Sequence, residues 1–233
     1  MRPEDGSKQF LAAFSDPEAV AKYADGPRRF VPGLEAMHTL CGLLLTERAP
    51  EDARILVVGA GGGLELRALA SAHPGWTFVG VDPAAEMLRQ AERTLGPLAD
   101  RVELVEGYVE DVAAEGFDGA TCLLTLHFLD RAERVRTAAA IRERLKPGAP
   151  FVAAHGSFPQ GAGERDLWLD RYAAFAISQG VEAEEAFGAR SAVSAMAGMI
   201  APEEDEAVLR EAGFHDVAMF WAAFTWRGWA GYA

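Results

Sequence analysis

A run of aliphatic residues that passes straight into glycines constrains the fold more than any other feature of the chain. Residues 54–58 read Arg-Ile-Leu-Val-Val and residues 59–63 read Gly-Ala-Gly-Gly-Gly. Unbroken β-branched and aliphatic character suits a strand buried on both faces, and such a strand needs helices on both sides of its sheet. The glycines then allow a tight turn where a ligand can approach bare backbone. Leu64, Leu66, Ala68, Leu69 and Ala72 follow at helical spacing, and Pro74-Gly75 stops the pattern.

The alternation continues along the chain. Thr77–Val81 reads as a second strand ending at Asp82, with a helix over Ala84–Leu95. Val102–Val105 and Phe117–Leu124 read as strands, Arg131–Leu145 as a helix stopped by Lys146-Pro147-Gly148, and Pro150–His155 as a fifth strand. Strands alternating with helices predict a parallel sheet with ligands bound beyond the carboxyl ends of its strands. From Pro159 to Ala201 the pattern is helical only, which suggests an inserted cap. Pro202–Ala212 opens with proline and acids (PEEDE), as a helix N-terminus prefers. Val217–Phe220 and Phe224–Trp229 look like a closing antiparallel pair. Ahead of the core, Pro17–Tyr23 and Gly33–Glu47 read as helices.

The expected organisation is a helical cover over residues 1–50, a Rossmann-like core over 51–158, a helical cap over 159–201, and a C-terminal helix and strands over 202–233 that complete the sheet. The expected fold is α/β, with a mostly parallel seven-stranded sheet and an antiparallel C-terminal strand.

Charge narrows the partners. With 22 basic and 35 acidic residues the formal net charge is −13. Such a surface repels phosphate backbones and anionic lipid, so nucleic acid is disfavoured as a main partner. Arg28-Arg29 and the Arg131/Arg134/Arg136 group are the basic patches, and both are short. Cys41 and Cys122 sit in apolar runs and read as buried thiols, with no disulfide or metal-ligand spacing. The N-terminal stretch is polar and no run is apolar enough to span a bilayer, so the expectation is a cytoplasmic protein with no membrane partner and no metal.

The glycine loop departs from the dinucleotide fingerprint G-x-G-x-x-G. Gly59 and Gly61 fit it, but its third position is Leu64. The loop fits G-x-G-x-G instead, at Gly59, Gly61 and Gly63. Asp82 lies 23 residues beyond Gly59, at a strand end. A carboxylate there can accept from both hydroxyls of a ribose. Met87, one turn into the next helix, is placed to lie against a base.

Taken in order, VVGAGGGLE, VGVDPAAEML, VELVEGYVEDV, FDGATCLLTLHFL and LKPGAPFV resemble the successive motifs of class I S-adenosylmethionine-dependent methyltransferases. The resemblance covers roughly residues 53–156 and implies S-adenosylmethionine as cofactor. It assigns Gly59, Ala60, Gly61 and Gly63 to the amino-acid tail, Asp82 and Pro83 to the ribose, and Met87, Tyr108 and Val109 to the adenine. Leu123, ending the fourth strand, joins this set. Tyr108 replaces the family's usual acid. Val57 stands where many members carry an acid before the loop, which leaves the tail to be recognised from elsewhere, with Arg29 as candidate for its carboxylate.

Both ends of the chain also resemble the carboxy-S-adenosylmethionine synthase group, which acts in tRNA modification as a homodimer. The carriers are Arg29-Phe30-Val31-Pro32-Gly33, the helical segment after Phe158 and REAGFHDVAMFWAAFTWRG. The specific residues of that group are missing: Leu34, Leu123 and Gly198 stand at the positions of its tyrosine, asparagine and carboxylate-binding arginine. A buried carboxylate without its cation is costly. The expectation is therefore a methyltransferase acting on a small-molecule acceptor. The synthase-like enzyme and a non-catalytic S-adenosylmethionine-binding protein are the alternatives, and a homodimer is a further implication of the resemblance.

Methyl transfer from a sulfonium depends chiefly on alignment and desolvation, while an oxygen acceptor would want a general base. His127 and His155, both at carboxyl ends of strands, are the candidates. Tyr23 and His38 lie in segments that could cover the cofactor. Trp168, Tyr172, Phe175, Phe187, Met196 and Met199 would offer an apolar face to the acceptor, or simply pack the cap.

Overall fold

The computed structural model describes Val20, residues 26–196 and residues 198–233. The helix expected over Pro17–Tyr23 falls mostly outside them. Seven strands form one sheet: β1 (Arg54–Val58), β2 (Thr77–Asp82), β3 (Val102–Glu106), β4 (Gly119–Leu123), β5 (Pro150–Gly156), β6 (His215–Ala223) and β7 (Trp226–Tyr232). Their order across the sheet is β3-β2-β1-β4-β5-β7-β6. β1 to β5 are mutually parallel, and β7 runs antiparallel to both β5 and β6. The expected fold class is the observed one.

Eight α-helices surround the sheet among the described residues: α1 (Gly26–Phe30), α2 (Leu34–Thr46), α3 (Leu64–Ala72), α4 (Ala85–Leu95), α5 (Arg131–Arg144), α6 (Glu164–Ser178), α7 (Ala183–Ala195) and α8 (Pro202–Glu211). In β1 every residue after Arg54 is buried, as its composition requires. Ile55 and Val57 pack in the layer with Leu34, Met37, Cys41 and Leu45 of α2 and Leu66 and Leu69 of α3. Leu56 and Val58 pack on the opposite face, with Ala138 and Ile141 of α5. The period of two along the strand thus feeds two separate cores.

Local chemistry sets the helix starts. Asp130 caps α5: its carboxylate accepts the Glu133 N–H at 2.7 Å, and the Glu133 carboxylate accepts the Asp130 N–H at 3.1 Å. At α8 the Glu204 side chain likewise accepts the Ala201 N–H, ahead of Pro202 at the first helical position.

Three expected strands differ in extent by more than their end residue. The fourth is shorter than Phe117–Leu124, because Phe117 makes only an isolated bridge to Leu145 and Leu124 turns to positive φ. The last two are longer than expected. Pairing of β7 with β5 from Pro150↔Tyr232 to Gly156↔Trp226 holds extended backbone beyond what the local pattern indicates. The helical stretch after Phe158 resolves into α6 and α7, a hairpin of helices whose turn is Gly180.

Candidate functional site

Strand order reverses between β1 and β4, the crevice where α/β sheets place ligands. The glycine loop lies at this point. Gly59, Gly61 and Gly63 all have positive φ (75°, 49° and 80°), a conformation that favours glycine. Gly59 and Ala60 donate their N–H groups to the Val81 carbonyl at 2.9 and 3.0 Å, which fixes the loop to the end of β2. A Cβ on Gly59 would overlap the Thr125 hydroxyl, and one on Gly63 would press on the Ala91 backbone of α4.

Asp82 ties the second wall to the first. One carboxylate oxygen accepts the Gly61 N–H at 2.9 Å and the other accepts the Ala84 N–H at 2.9 Å. Burial raises the Asp82 pKa, and those two bonds oppose it. Each oxygen keeps acceptor capacity for a further donor. The Asp82 carbonyl accepts the Gly107 N–H at 3.1 Å, so the loop after β3 joins the same edge. There Asp111 accepts the Tyr108 N–H at 2.8 Å, and Val109 is buried at the start of a single 3-10 turn. Met87 is buried with Ala84 and Val20. Pro83 is half-buried beside them, and Leu123 is buried at the end of β4. Bare backbone at the loop and a carboxylate with spare acceptors fit the nucleoside and amino-acid parts of S-adenosylmethionine. In that fit Asp82 would face the ribose, the loop backbone the tail, and Val109 the adenine edge.

Sequence reasoning missed Glu65, in the first turn of α3. It is 6% exposed, and burial pushes its pKa up to about 8, with the Thr121 hydroxyl opposing. Its Oε1 and the Thr121 Oγ1 are both buried with no hydrogen-bond partner among the described residues. Thr121 is the cross-strand neighbour of Val57. An acid spaced as part of a helix face gave no signal that it would turn inward.

His127 and His155 do come to the carboxyl edge, but both are enclosed. His127 Nδ1 accepts the Gly156 N–H at 3.3 Å, so the neutral ring carries its proton on Nε2. Burial, then His155 and Arg134, hold its pKa well below the ordinary value. His155 Nε2 lies 2.9 Å from Asp205, and Asp205 also pairs with Arg134. Burial lowers the His155 pKa despite the Asp205 charge. Arg134 of α5 and Asp205 of α8, 0% and 2% exposed, were not singled out in this role from sequence. Long-range partners of this kind leave no local pattern.

The remaining candidates are spread out. Arg29 Nη2 donates to the Gly180 carbonyl at 2.8 Å, linking α1 to the α6–α7 turn. His38 is half-buried on α2 and its pKa falls to about 4 through burial and then Arg28. Tyr23 lies outside the described residues. Among the aromatic residues after Phe158, Tyr172 packs on Phe30 (ring centroids 5.4 Å apart) and Trp226 (6.4 Å), and Phe175 meets Phe224 edge-on. Trp168 lies against the guanidinium groups of Arg171 and Arg227. Met199 is buried against Gly156, Met196 is half-buried, and Phe187 is 52% exposed. Both cysteines are free and buried, and burial raises both thiols. Among the described residues no group of three or more His, Cys, Asp or Glu could hold a metal, and no helix is long and apolar enough to cross a membrane.

Comparison with known proteins agrees with this fold. Residues 56–151 match the family model of a methyltransferase domain. The carboxy-S-adenosyl-L-methionine synthase of Klebsiella pneumoniae is 24% identical over 213 residues, spanning 89% of this chain and 86% of that protein. An O-methyltransferase family protein from Burkholderia thailandensis superposes with a TM-score of 0.71 at 17% identity, covering 97% of this chain and 62% of the other. Human N-acetylserotonin methyltransferase in complex with S-adenosylmethionine superposes at 0.64 and 15% identity, over 96% and 58%. The chain thus spans about three fifths of the solved proteins it matches.

Proposed function

We propose that the chain is a class I S-adenosylmethionine-dependent methyltransferase that methylates a small-molecule acceptor. The observation that carries the proposal is the joined edge at the strand-order reversal. There the Gly59–Gly63 loop, Asp82 and the loop after β3 are locked together by hydrogen bonds to the Val81 and Asp82 carbonyls and to the Asp82 carboxylate. Bound S-adenosylmethionine supplies a methyl group already activated by its sulfonium. The chain's own task is then to align and desolvate the acceptor. Gly59, Ala60, Gly61 and Gly63 present backbone to the cofactor tail, with Arg29 as a further candidate for its carboxylate. Asp82 and Pro83 hold the ribose, Met87, Tyr108 and Val109 enclose the adenine end, and Leu123 lines the cofactor site from the end of β4.

The O-methyltransferase neighbours and the acidic surface support a small acceptor over nucleic acid. The pair α6–α7, with the segment through Met199, is the proposed acceptor-side cover. His127 acts in this reading as a hydrogen-bond donor from Nε2, since its Nδ1 already accepts from Gly156. Incubation with methyl-labelled S-adenosylmethionine and a panel of hydroxylated and amino aromatic compounds tests the proposal. Label transfer with matching S-adenosylhomocysteine is the expected result. Cofactor binding without turnover on any acceptor would point to the non-catalytic alternative.

The relatives of the synthase group favour a second reading, in which the cofactor is carboxylated. Gly198 argues against it. A Cβ there would overlap the His127 carbonyl and crowd that of Leu129, so this backbone leaves no room for an arginine at the position aligned with that group's cation. Titration with the carboxylated cofactor decides: binding tighter than that of S-adenosylmethionine would overturn the methyltransferase reading.

A further inference from the structure

Glu65 is a buried acid whose Oε1 has no hydrogen-bond partner among the described residues, with the Thr121 hydroxyl as the neighbouring group that favours its charged form. It is the second residue of α3, directly after the glycine loop. Its carboxyl group meets the Thr121 hydroxyl of β4, and Thr121 pairs across to Val57 of β1 and Val152 of β5. The surrounding layer is apolar: Cys41 of α2, Val57 and Leu66 are all fully buried there. Glu65 Oε1 and Thr121 Oγ1 are the two buried polar side-chain atoms of this layer without a partner among the described residues. An acid in such a place costs folding free energy in either state, through desolvation when charged and an unmade hydrogen bond when neutral.

The compartment adjoins the loop that carries the cofactor tail. Leu123, two residues beyond Thr121, ends β4 at the carboxyl edge, and its carbonyl accepts from the hydroxyl of Thr125, the side chain that lies against Gly59. The chain has no acid on β1 to serve the tail, whose one cationic group besides the sulfonium is its α-ammonium. We propose that Glu65, supported by the Thr121 hydroxyl, is the anionic positioning residue for the α-ammonium of the cofactor, acting from the first turn of α3. The inference rests on the S-adenosylmethionine-binding reading above. It gives the unmet acceptor a use: an arriving cation makes the ionised carboxylate the favoured form, and the carboxyl proton leaves to solvent. At neutral pH the free protein holds that proton, because burial keeps the Glu65 pKa at about 8. Cofactor binding is then coupled to proton release near pH 7, and the coupling fades as pH rises past that value.

Calorimetric titration of wild type and Glu65→Gln with two ligands tests this. S-adenosylhomocysteine carries the amino-acid tail, and 5′-methylthioadenosine lacks it. The expected result is a loss on the order of tenfold in S-adenosylhomocysteine affinity for Glu65→Gln, the scale of one hydrogen bond to a charged group, with methylthioadenosine unchanged. Wild type titrated at pH 7 in buffers of different ionisation enthalpy should release close to one proton with S-adenosylhomocysteine and none with methylthioadenosine. Equal losses for both ligands, or none for either, would overturn the assignment and leave Glu65 a structural residue. If Glu65→Gln folds poorly, the wild-type proton release decides alone, and its absence also overturns the assignment. Failure of wild type to bind S-adenosylhomocysteine at all would instead remove the functional reading on which the inference rests.

Discussion

Individual atoms decide the character of this site. Gly59 has both positive φ and a neighbour, Thr125, where its Cβ would lie. Gly59→Ala therefore combines left-handed strain with a steric overlap, and a loss of about 1–3 kcal/mol is expected in chemical denaturation. Asp82 has two duties that substitution can separate. Asp82→Asn keeps an oxygen for one backbone amide and should retain most of the fold's stability while weakening S-adenosylmethionine binding at least tenfold, about 1.4 kcal/mol. Asp82→Ala loses the bonds to Gly61 and Ala84 as well and should cost a further 1 kcal/mol or so in stability. Paired melting and titration experiments check both. His127 gives a kinetic prediction. Its buried ring stays neutral through the ordinary histidine range, so kcat should show no limb near pH 6.5 assignable to it. A limb present in wild type and absent in His127→Gln would restore it as a titrating base.

At the scale of elements, the contact that joins α5, α8 and β5 is the buried Arg134–Asp205–His155 group. Apolar packing surrounds it, and Arg134 Nη2, His155 Nδ1 and Asp205 Oδ2 have no further partner among the described residues. Breaking such a pair strands a charge, so Asp205→Ala should lose about 3–5 kcal/mol and much of its cooperativity. The group also sets a pH dependence. Burial works to raise the Asp205 pKa, but His155 and Arg134 outweigh it and hold it below the ordinary value. His155 and His127 are lowered as well. For all three the unfolded chain takes up protons that the folded protein resists. Their stabilisation is complete above about pH 6.5, the unfolded histidine value, and is lost as pH falls below it. Melting temperature should therefore decline between pH 6.5 and 4, and more shallowly in His155→Gln if that variant folds. β7 shows the same dependence on distant partners. Its antiparallel placement between β5 and β6 lengthens the last two strands past their local signal.

For the whole molecule, the excess of acidic residues is a statement about partners. At a net charge of −13 the counterion-release contribution that drives nucleic-acid binding is opposed. Filter binding with bulk tRNA at 0.15 M salt should show no retention at micromolar protein. Retention there would reopen the reading that ties this chain to tRNA modification. The two cores on either face of the sheet make the central strands the most protected part of the fold. Hydrogen exchange should be slowest in β1 and β4, whose residues are almost wholly buried.

The sequence by itself determined what short-range physics controls. Aliphatic strands, helical spacing, proline and glycine stops, the G-x-G-x-G loop and Asp82 at a strand end all act within a few residues, and together they made the sheet, the loop and the ribose acid legible. Tertiary structure alone decided which polar side chains turn inward. Glu65 reads as a helix-surface acid until β4 brings Thr121 to it. Arg134 and Asp205 lie 71 positions apart and become partners only when α5 and α8 pack across the sheet. His127 stood out in sequence as a base, and only the approach of the Gly156 N–H fixed its proton on the other nitrogen. Phe187 and Tyr172, alike in the helical pattern, part company as 52% and 7% exposed because the C-terminal hairpin and α1 cover one and not the other. Burial is a property of what arrives from elsewhere in the chain, and no window of local residues contains it.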